Sequence, residues 1–194
     1  MKVISWNIRG LNGDHKQELV RNMIRDQRPN FLMIQETKMK KDLVKRISFS
    51  KKFCCEASDS DGASGGVLTL YNSRAFKLTT LFKSSNAILC EVHHIQSNDS
   101  WLILNLYAPN TKKERNSFWT KLLDILSKCN VKKGIIMGDF NSPLSDADKR
   151  AGLAPDQDSK RDLGLFIQNL AFLDMELQGG IYTWSNKRVR GDNI

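Results

Sequence analysis

The feature that most limits the fold is a run of strand-like segments between Gly65 and Tyr107 that no helical pattern interrupts. Apolar and β-branched residues recur in short stretches, and clusters of turn-forming residues separate them. The predicted strands cover residues 67–71, 76–82, 87–95 and 101–107. Consecutive strands without a helical crossover pair in antiparallel fashion. Part of the core must therefore be an antiparallel meander.

Helical and strand patterns alternate on both sides of this meander. Further strands are predicted at residues 3–8, 31–35, 135–137 and 181–184. Helices are predicted at residues 15–27, 40–47, 112–129 and 159–170, the first capped by Asp14. In the third helix the residues expected to face the core are Phe118, Leu122, Ile125 and Leu126. We find no repeat or linker, so residues 1–194 are predicted to form one α/β domain with two sheets covered by helices.

Composition narrows the class of protein. Hydrophobic residues make up 40% of the chain without any stretch long enough to span a membrane, so a globular protein with no membrane partner is predicted. The N-terminus has no signal-peptide pattern. The four cysteines lack zinc-site spacing and are predicted to be buried thiols in a reducing compartment.

The charge is positive and uneven. The formal net charge is +9, and residues 1–56 carry 13 basic against 6 acidic side chains. Residues 136–194 carry 7 basic against 9 acidic side chains. A basic first third is typical of proteins that bind a polyanion, although a solvated lysine-rich surface would have the same composition.

Polar side chains follow four of the predicted strands at their ends. They occur in "SWNIRG" (Asn7), "LMIQET" (Glu36, beside Gln35 and Thr37), "LNLYAPN" (Asn105 and Tyr107) and "MGDFN" (Asp139 and Asn141). In extended backbone Asp139 and Asn141 would point to the same side. Each motif alone is also compatible with a simple turn that ends a strand. If the strand ends converge on one rim, they gather two carboxylates, several amides and a phenol.

Oxygen ligands of this kind suit a hard divalent cation, with Mg²⁺ the default and Mn²⁺ the alternative. Such an ion beside a basic surface indicates phosphate-ester chemistry, because the metal neutralises the phosphoryl oxygens and the leaving oxyanion. A carboxylate could orient or deprotonate water there, and amides could bind the transition state.

In this order and spacing the four motifs resemble the endonuclease/exonuclease/phosphatase superfamily, whose fold is similar to that of DNase I. "WNIRGLN" and "GGIYTWSNKR" narrow the resemblance to the apurinic-type endonuclease domain of LINE-type, non-LTR retrotransposons, particularly plant ones. The resemblance covers essentially the whole chain. It implies a four-layer α/β sandwich, in which two mixed β-sheets pack face to face with helices outside.

The resemblance also implies roles for individual residues. Asn7 resembles the asparagine near the metal and phosphate, and Glu36 resembles the metal-coordinating glutamate. Tyr107 resembles the tyrosine that hydrogen-bonds the scissile phosphate. Asp139 resembles the aspartate that orients or activates water, and Asn141 resembles the asparagine that stabilises the transition state.

Contacts with DNA are expected from a separate set of residues. Thr183 resembles a threonine that lines the DNA-binding side. Basic residues that flank the motifs are the candidates for phosphate contacts, although those in the C-terminal run could equally be a frayed tail. They are Arg9, Lys187, Arg188 and Arg190.

The sequence departs from the family pattern at its C-terminal end. The family continues past "GDNI" to a Ser-Asp-His tripeptide, whereas this sequence stops at Ile194. The chain is therefore expected to lack the final strands and the catalytic histidine. His15, His93 and His94 are not expected to replace that histidine, since none lies beside a motif. At best, weak nicking is expected.

The leading hypothesis is a Mg²⁺-dependent DNA endonuclease domain that nicks double-stranded target DNA and leaves a 3′-hydroxyl. The resemblance implies a nuclear location and a reverse transcriptase domain in the parent polyprotein. The alternatives are an inactive truncated remnant, a repair endonuclease acting at abasic sites, or another phosphatase of the superfamily. Target-site preference and oligomeric state do not follow from the sequence.

Overall fold

The structure is a computed structural model that describes residues 1–62, 64–131, 133–145, 148, 156–175 and 178–179. The chain divides into two compact units. The first unit comprises Met1–Ala108 and Cys129–Asp139, and the second comprises Pro109–Lys128 and the residues from Phe140 onward. The predicted final strand at residues 181–184 lies outside the described residues.

The first unit contains two α-helices and all the described strands. Its helices are α1 (Asp14–Gln27) and α2 (Lys41–Arg46). Its strands are β1 (Val3–Asn7), β2 (Phe31–Gln35), β3 (Phe53–Ala57), β4 (Ser60–Asp61), β5 (Ser64–Gly65), β6 (Leu68–Asn72), β7 (Phe76–Lys83), β8 (Ala87–His94), β9 (Asp99–Tyr107) and β10 (Gly134–Asp139).

The main sheets have four strands each, in the orders β1-β2-β6-β3 and β10-β9-β8-β7. β4 and β5 form a separate two-stranded hairpin. In each main sheet one pair is parallel, β1 with β2 and β10 with β9, and the remaining pairs are antiparallel. Both sheets are therefore mixed, as predicted, and β7, β8 and β9 form the predicted antiparallel meander.

Alternation along β2 explains how the first unit is layered. Leu32 and Ile34 point to one face and pack in a cluster with Val20 and Ile24 of α1. Their neighbours Phe31 and Met33 point to the other face. There they pack against side chains of the second sheet, which include Ile88, Cys90, Val92 and Ile103. A strand buried on both faces reads as a continuous apolar run, which "FLMI" shows.

The second unit contains α3 (Lys112–Ser127) and α4 (Gln157–Asn169). The side chain of Thr111 caps α3 by accepting a hydrogen bond from the Glu114 backbone N–H. Asp156 caps α4 in the same way through Ser159. The two helices pack through Trp119 and Phe166, whose ring centroids are 4.9 Å apart.

Several local expectations were wrong. β3 was not predicted, and α1 begins after Gly13, which provides no side-chain cap, so Asp14 does not cap the helix. In α3 the buried aromatic residue is Trp119 rather than Phe118. All four cysteines are thiols, but only Cys90 is buried, since Cys54 is exposed and Cys55 and Cys129 are half-buried. Among the described residues no helix is long and apolar enough to cross a membrane.

Candidate active site

Four of the predicted site residues lie at the carboxyl ends of the two parallel strand pairs. Asn7 ends β1, and Glu36 follows Gln35, which pairs with Asn7 in the sheet register. Tyr107 ends β9 and pairs with Asp139, which ends β10. Parallel strands bring their carboxyl ends to the same edge of a sheet. Each sheet therefore presents two of the four polar residues at one edge.

Two hydrogen bonds join these edges across the sandwich. The Asn7 amide nitrogen Nδ2 donates to Asp139 Oδ2 over 2.8 Å. The Tyr107 hydroxyl donates to Glu36 Oε1 over 3.1 Å. Each bond joins a residue at the edge of one sheet to a residue at the edge of the other, so the four side chains form two cross-sheet pairs. Four residues were expected on one rim, namely Asn7, Glu36, Asp139 and Asn141, and these bonds bring the first three together there. Their strands were expected to be central, but within the described residues β1 and β10 are the end strands of their sheets.

The loop that carries Glu36 has an unusual backbone. Glu36 and Lys38 both adopt left-handed conformations, with φ of +56° and +54°. Such a conformation costs an L-residue roughly 1–2 kcal/mol, so the surrounding structure has to hold it. Thr37 donates its backbone N–H to Gly66 O over 2.9 Å, and Lys38 donates to Gly65 O over 3.1 Å. The two glycines therefore hold the loop backbone directly after Glu36.

Tyr107 is held by an asparagine that the sequence analysis did not identify. The Asn86 carbonyl oxygen accepts a hydrogen bond from the Tyr107 backbone N–H over 2.7 Å, and the Asn86 side-chain Nδ2 donates to Tyr107 O over 2.7 Å. Gly66 in turn donates its N–H to Ser85 O over 2.9 Å. A continuous path of backbone bonds thus links the Glu36 loop to the strand end that carries Tyr107.

A lysine lies beside the Glu36 carboxylate. Lys38 places its Nζ 3.7 Å from Glu36 Oε1. The Glu36 side chain is 14% exposed, so this pair is screened by water less than a surface pair would be. Lys38 was not among the predicted site residues. Its position two residues after Glu36 in "QETK" was the available signal.

The donor set fits a hard divalent cation. The part of the chain that the structure describes contains no cluster of three or more His, Cys, Asp or Glu residues suited to a metal. Glu36 and Asp139 supply carboxylate oxygens, and Asn7 supplies an amide oxygen that already accepts the Arg9 backbone N–H over 3.1 Å. An ion that keeps several waters needs only one or two carboxylates, which is how Mg²⁺ is usually bound.

The remaining predicted residues are placed less directly. Arg9 follows Asn7 with an exposed side chain and a φ of +52°. Asn141 lies beyond β10 in the second unit, and its φ of +49° means that strand alternation does not govern its direction, contrary to expectation. Its role stays a prediction. Four DNA-contact candidates lie outside the described residues, namely Thr183, Lys187, Arg188 and Arg190.

Two of the histidines are at the wrong end of the sheet to assist the site. His93 and His94 pair with Ser100 and Asp99 at the start of β9, whereas Tyr107 ends that strand. Their ring nitrogens Nδ1 contact the hydroxyls of Ser100 and Ser97. This agrees with the expectation that they do not replace the family histidine.

Comparison with known proteins gives one family and many similar structures. A model of the Endonuclease/Exonuclease/phosphatase family matches residues 4–192. The AP endonuclease LMAP from Leishmania major is similar with a TM-score of 0.73 at 17% identity, over 87% of this chain and 66% of that one. The endonuclease domain of TRAS1, a telomere-specific non-LTR retrotransposon, has a TM-score of 0.67 at 12% identity, over 87% and 71%.

A third similar structure is the 3′ phosphatase NExo from Neisseria bound to a product DNA hairpin. Its TM-score is 0.63 at 18% identity, over 88% of this chain and 70% of that one. The chain thus spans about two thirds of the length of the Leishmania protein. At these identities the likeness establishes the fold, and the predicted DNase I-like α/β architecture is confirmed.

Proposed function

Because the chain belongs to the endonuclease/exonuclease/phosphatase family, we propose that it is a Mg²⁺-dependent phosphodiesterase that nicks double-stranded DNA and leaves a 3′-hydroxyl. The observation that carries the proposal is the pair of cross-sheet hydrogen bonds, Asn7 to Asp139 and Tyr107 to Glu36. They bring together two carboxylates, an amide and a phenol, which could hold a divalent cation and orient water for phosphate-ester hydrolysis.

In the proposed reaction a water oxygen attacks the phosphorus and the bond from phosphorus to the 3′ oxygen breaks. Asp139 accepts the proton of the attacking water, and Asn7 keeps the carboxylate oriented by holding Oδ2. The departing 3′ oxygen takes up a proton from solvent water and becomes the 3′-hydroxyl, while the phosphate stays on the 5′ side. Tyr107 directs its hydroxyl to the scissile phosphate, and Asn141 stabilises the transition state.

Glu36 and Asn7 are the residues that would hold the divalent cation. When bound, the cation supplies charge neutralisation at the phosphoryl oxygens and the leaving oxygen. The protein's own contribution is to fix the Glu36 carboxylate through the Tyr107 hydroxyl and the strained loop. Mn²⁺ would be accepted by the same oxygen ligands.

Duplex DNA is the proposed partner because the segment that follows the Glu36 loop along the chain is basic and exposed. We refer to residues 40–52, which comprise α2 and the segment after it, as the α2 segment. Its six Lys and Arg side chains are exposed, and its acidic side chain is Asp42. They are Lys40, Lys41, Lys45, Arg46, Lys51 and Lys52. Lys41 pairs with Asp59, and the other five basic side chains keep the segment positively charged.

We also propose that the chain is the endonuclease domain of a LINE-type, non-LTR retrotransposon. The "WNIRGLN" and "YTWSNKR" motifs support it, as does the fold likeness to the TRAS1 endonuclease domain. On this proposal the parent polyprotein also carries a reverse transcriptase domain and acts in the nucleus. The Arg9 side chain and the C-terminal basic run would contact phosphates.

The decisive test is nicking of supercoiled plasmid with Mg²⁺, without metal and with EDTA. We expect wild-type nicking that requires the metal, and loss of nicking in Glu36→Gln. Glu56→Gln is the matched control, because Glu56 is a glutamate on β3 that pairs with Lys83 outside the site. Nicking that survives EDTA, or that Glu36→Gln leaves intact, would contradict the proposal.

Two further substrates separate the alternatives. Incision that occurs only on a duplex containing an abasic site would indicate a repair endonuclease. Release of phosphate from inositol polyphosphates would indicate a phosphatase. A folded chain that processes none of these substrates would be an inactive remnant.

A further inference from the structure

A buried pair of amides joins the two sheets directly behind the candidate active site. Gln35 is 1% exposed and Asn105 is fully buried. The Gln35 Nε2 donates to Asn105 Oδ1 over 2.6 Å. Gln35 is the last residue of β2 and Asn105 lies within β9, so the bond crosses the sandwich between the strands that carry Glu36 and Tyr107.

The pair is the centre of a satisfied polar network. Asn105 Nδ2 donates to Leu68 O over 3.0 Å and to Thr69 Oγ1 over 3.1 Å, both on β6. Gln35 also contacts the Ser5 hydroxyl on β1, with Nε2 donating over 3.1 Å. The network therefore connects three strands of the first sheet with β9 of the second.

Burying such a network in the core costs free energy. Two buried amides lose their hydration, and well-packed apolar residues of similar volume are often equally or more stabilising. Directional hydrogen bonds, however, fix one relative position of the groups that form them. Apolar packing in the same layer, which includes Met33 and Ile103, does not specify that placement as sharply.

The placement matters because of where the two amides sit in sequence. Gln35 immediately precedes Glu36, and Asn105 is two residues before Tyr107, on the same face of β9. A slip of one sheet on the other by one residue would move these strand ends by roughly 3.3 Å. The 3.1 Å bond from Tyr107 to Glu36 could not survive such a movement.

We propose that Gln35 and Asn105 are positioning residues, which lock the two sheets in the one register that lets Tyr107 reach Glu36 and lets the site hold its cation. This inference rests on the proposed function in naming the cation, but the register itself does not depend on catalysis. Neither residue touches the reacting atoms.

The test uses one single and two double changes of the pair. Gln35→Leu alone leaves Asn105 with an unsatisfied buried acceptor, so it should lower the melting temperature. The double variant Gln35→Met with Asn105→Leu removes both amides, so neither amide is left unpaired, and it should melt at a higher temperature than Gln35→Leu. The exchanged pair, Gln35→Asn with Asn105→Gln, keeps one amide on each sheet and should restore the bridge.

The first readout needs neither metal nor DNA. Labelling the three tyrosines with 3-fluorotyrosine gives a ¹⁹F resonance for Tyr107, assigned by its absence in Tyr107→Phe. Glu36→Ala defines the chemical shift without the Tyr107–Glu36 bond. We expect the double apolar variant to move to that value and the exchanged pair to stay at the wild-type value.

The second readout is Mn²⁺ affinity, measured by electron paramagnetic resonance of the free ion. Loss of the supporting residues should weaken Mn²⁺ binding about 10- to 100-fold in the double apolar variant, although that variant is folded. If the two amides only stabilise the fold, the Mn²⁺ affinity of the double apolar variant should recover together with its melting temperature.

A wild-type ¹⁹F shift and wild-type Mn²⁺ affinity in the folded double apolar variant would overturn the inference. Failure of the proposed function looks different. In that case the wild type would neither bind Mn²⁺ nor nick DNA, while the ¹⁹F shift would still report whether the amide pair sets the register.

Discussion

The Tyr107 hydroxyl donates a hydrogen bond to Glu36 Oε1 from the opposite sheet, over 3.1 Å. Glu36 in turn sits in a left-handed backbone conformation that Gly65 and Gly66 hold in place. The tyrosine therefore does two things in the resting protein. It joins β9 to the Glu36 loop across the two sheets, and it fixes one oxygen of the carboxylate proposed to bind the cation.

Removing this hydroxyl should slow the reaction without unfolding the protein. Tyr107→Phe keeps the buried ring but loses the bond to Glu36 and the proposed contact with phosphate. We expect the single-turnover nicking rate to fall about 10²-fold, which is typical of losing one positioned hydrogen-bond donor. Tyr71→Phe is the matched control, because Tyr71 lies on β6 and belongs to neither cross-sheet pair, and it should retain the rate. Equal losses in both variants would show that the effect does not come from the site.

A glycine behind Asp139 tests whether the parallel strand pair sets the geometry. Gly138 has a φ of +148°, and a Cβ there would lie 1.9 Å from the Leu106 carbonyl oxygen. Gly138→Ala must push β10 away from β9 and move Asp139 relative to Tyr107. We expect a destabilisation of about 2–4 kcal/mol in urea unfolding, as for other clashes and strained backbones.

The control for this variant is Gly62→Ala. Gly62 also has a positive φ, +55°, but a Cβ there meets nothing within 4 Å. It should show the cost of backbone strain without the clash, and nicking should persist. If Gly138→Ala were no less stable than Gly62→Ala, the close approach to Leu106 would not be a constraint on the fold.

The elements that the sequence predicted well are those whose pattern is local. "FLMIQ" follows Pro29 and is apolar up to its last residue, and its bounds at Phe31–Gln35 are as predicted. β3 was missed because "FCCEA" is short, contains a glutamate and has no clear alternation. Trp119 was missed although Leu122 and Leu126, three and seven residues further on, share its helix face. Phe118, one position round the helix, was selected in its place.

The site was predictable only as a set of residue types. Motif resemblance selected Asn7, Glu36, Tyr107 and Asp139, but no local pattern says which of them meet across two sheets. That depends on the inter-sheet register, which many core residues fix together. Asn86 was missed for the same reason, since its partner, Tyr107, is distant in sequence.

The α2 segment should carry part of the DNA affinity. Replacing Lys40, Lys45, Arg46 and Lys51 with Gln removes four exposed positive charges. For every phosphate that the variant no longer neutralises, the slope of log affinity against log salt should fall by about 0.9 in magnitude. Binding would be measured by fluorescence anisotropy on duplex DNA, in a Glu36→Gln background that does not cut.

The matched control for the α2 segment removes four exposed lysines elsewhere. These are Lys77, Lys113, Lys121 and Lys128. We expect this control to keep a slope closer to that of the unchanged background. An equal fall in both sets would mean that net charge alone, and not the α2 segment, governs binding.

The buried thiol of Cys90 should make the protein less stable at high pH. Burial in the core between the sheets raises the pKa of Cys90 to about 11, despite a hydrogen bond with the Thr80 hydroxyl that lowers it. In the unfolded chain the thiol should lose its proton near its ordinary pKa of about 8.5. Between those values the folded state binds more protons than the unfolded state, so stability is fully present below about pH 8.5 and falls as the pH rises toward 11. The loss should be about 2–3 kcal/mol.

Urea unfolding at pH 8 and pH 10.5 would measure this loss of stability, with Cys90→Ala as the comparison. Burial also raises the pKa of Tyr71, to about 12, but that residue is present in both proteins, so its contribution largely cancels in the difference. The wild type should lose more stability than Cys90→Ala over this interval, and equal losses would show that burial does not keep the thiol protonated.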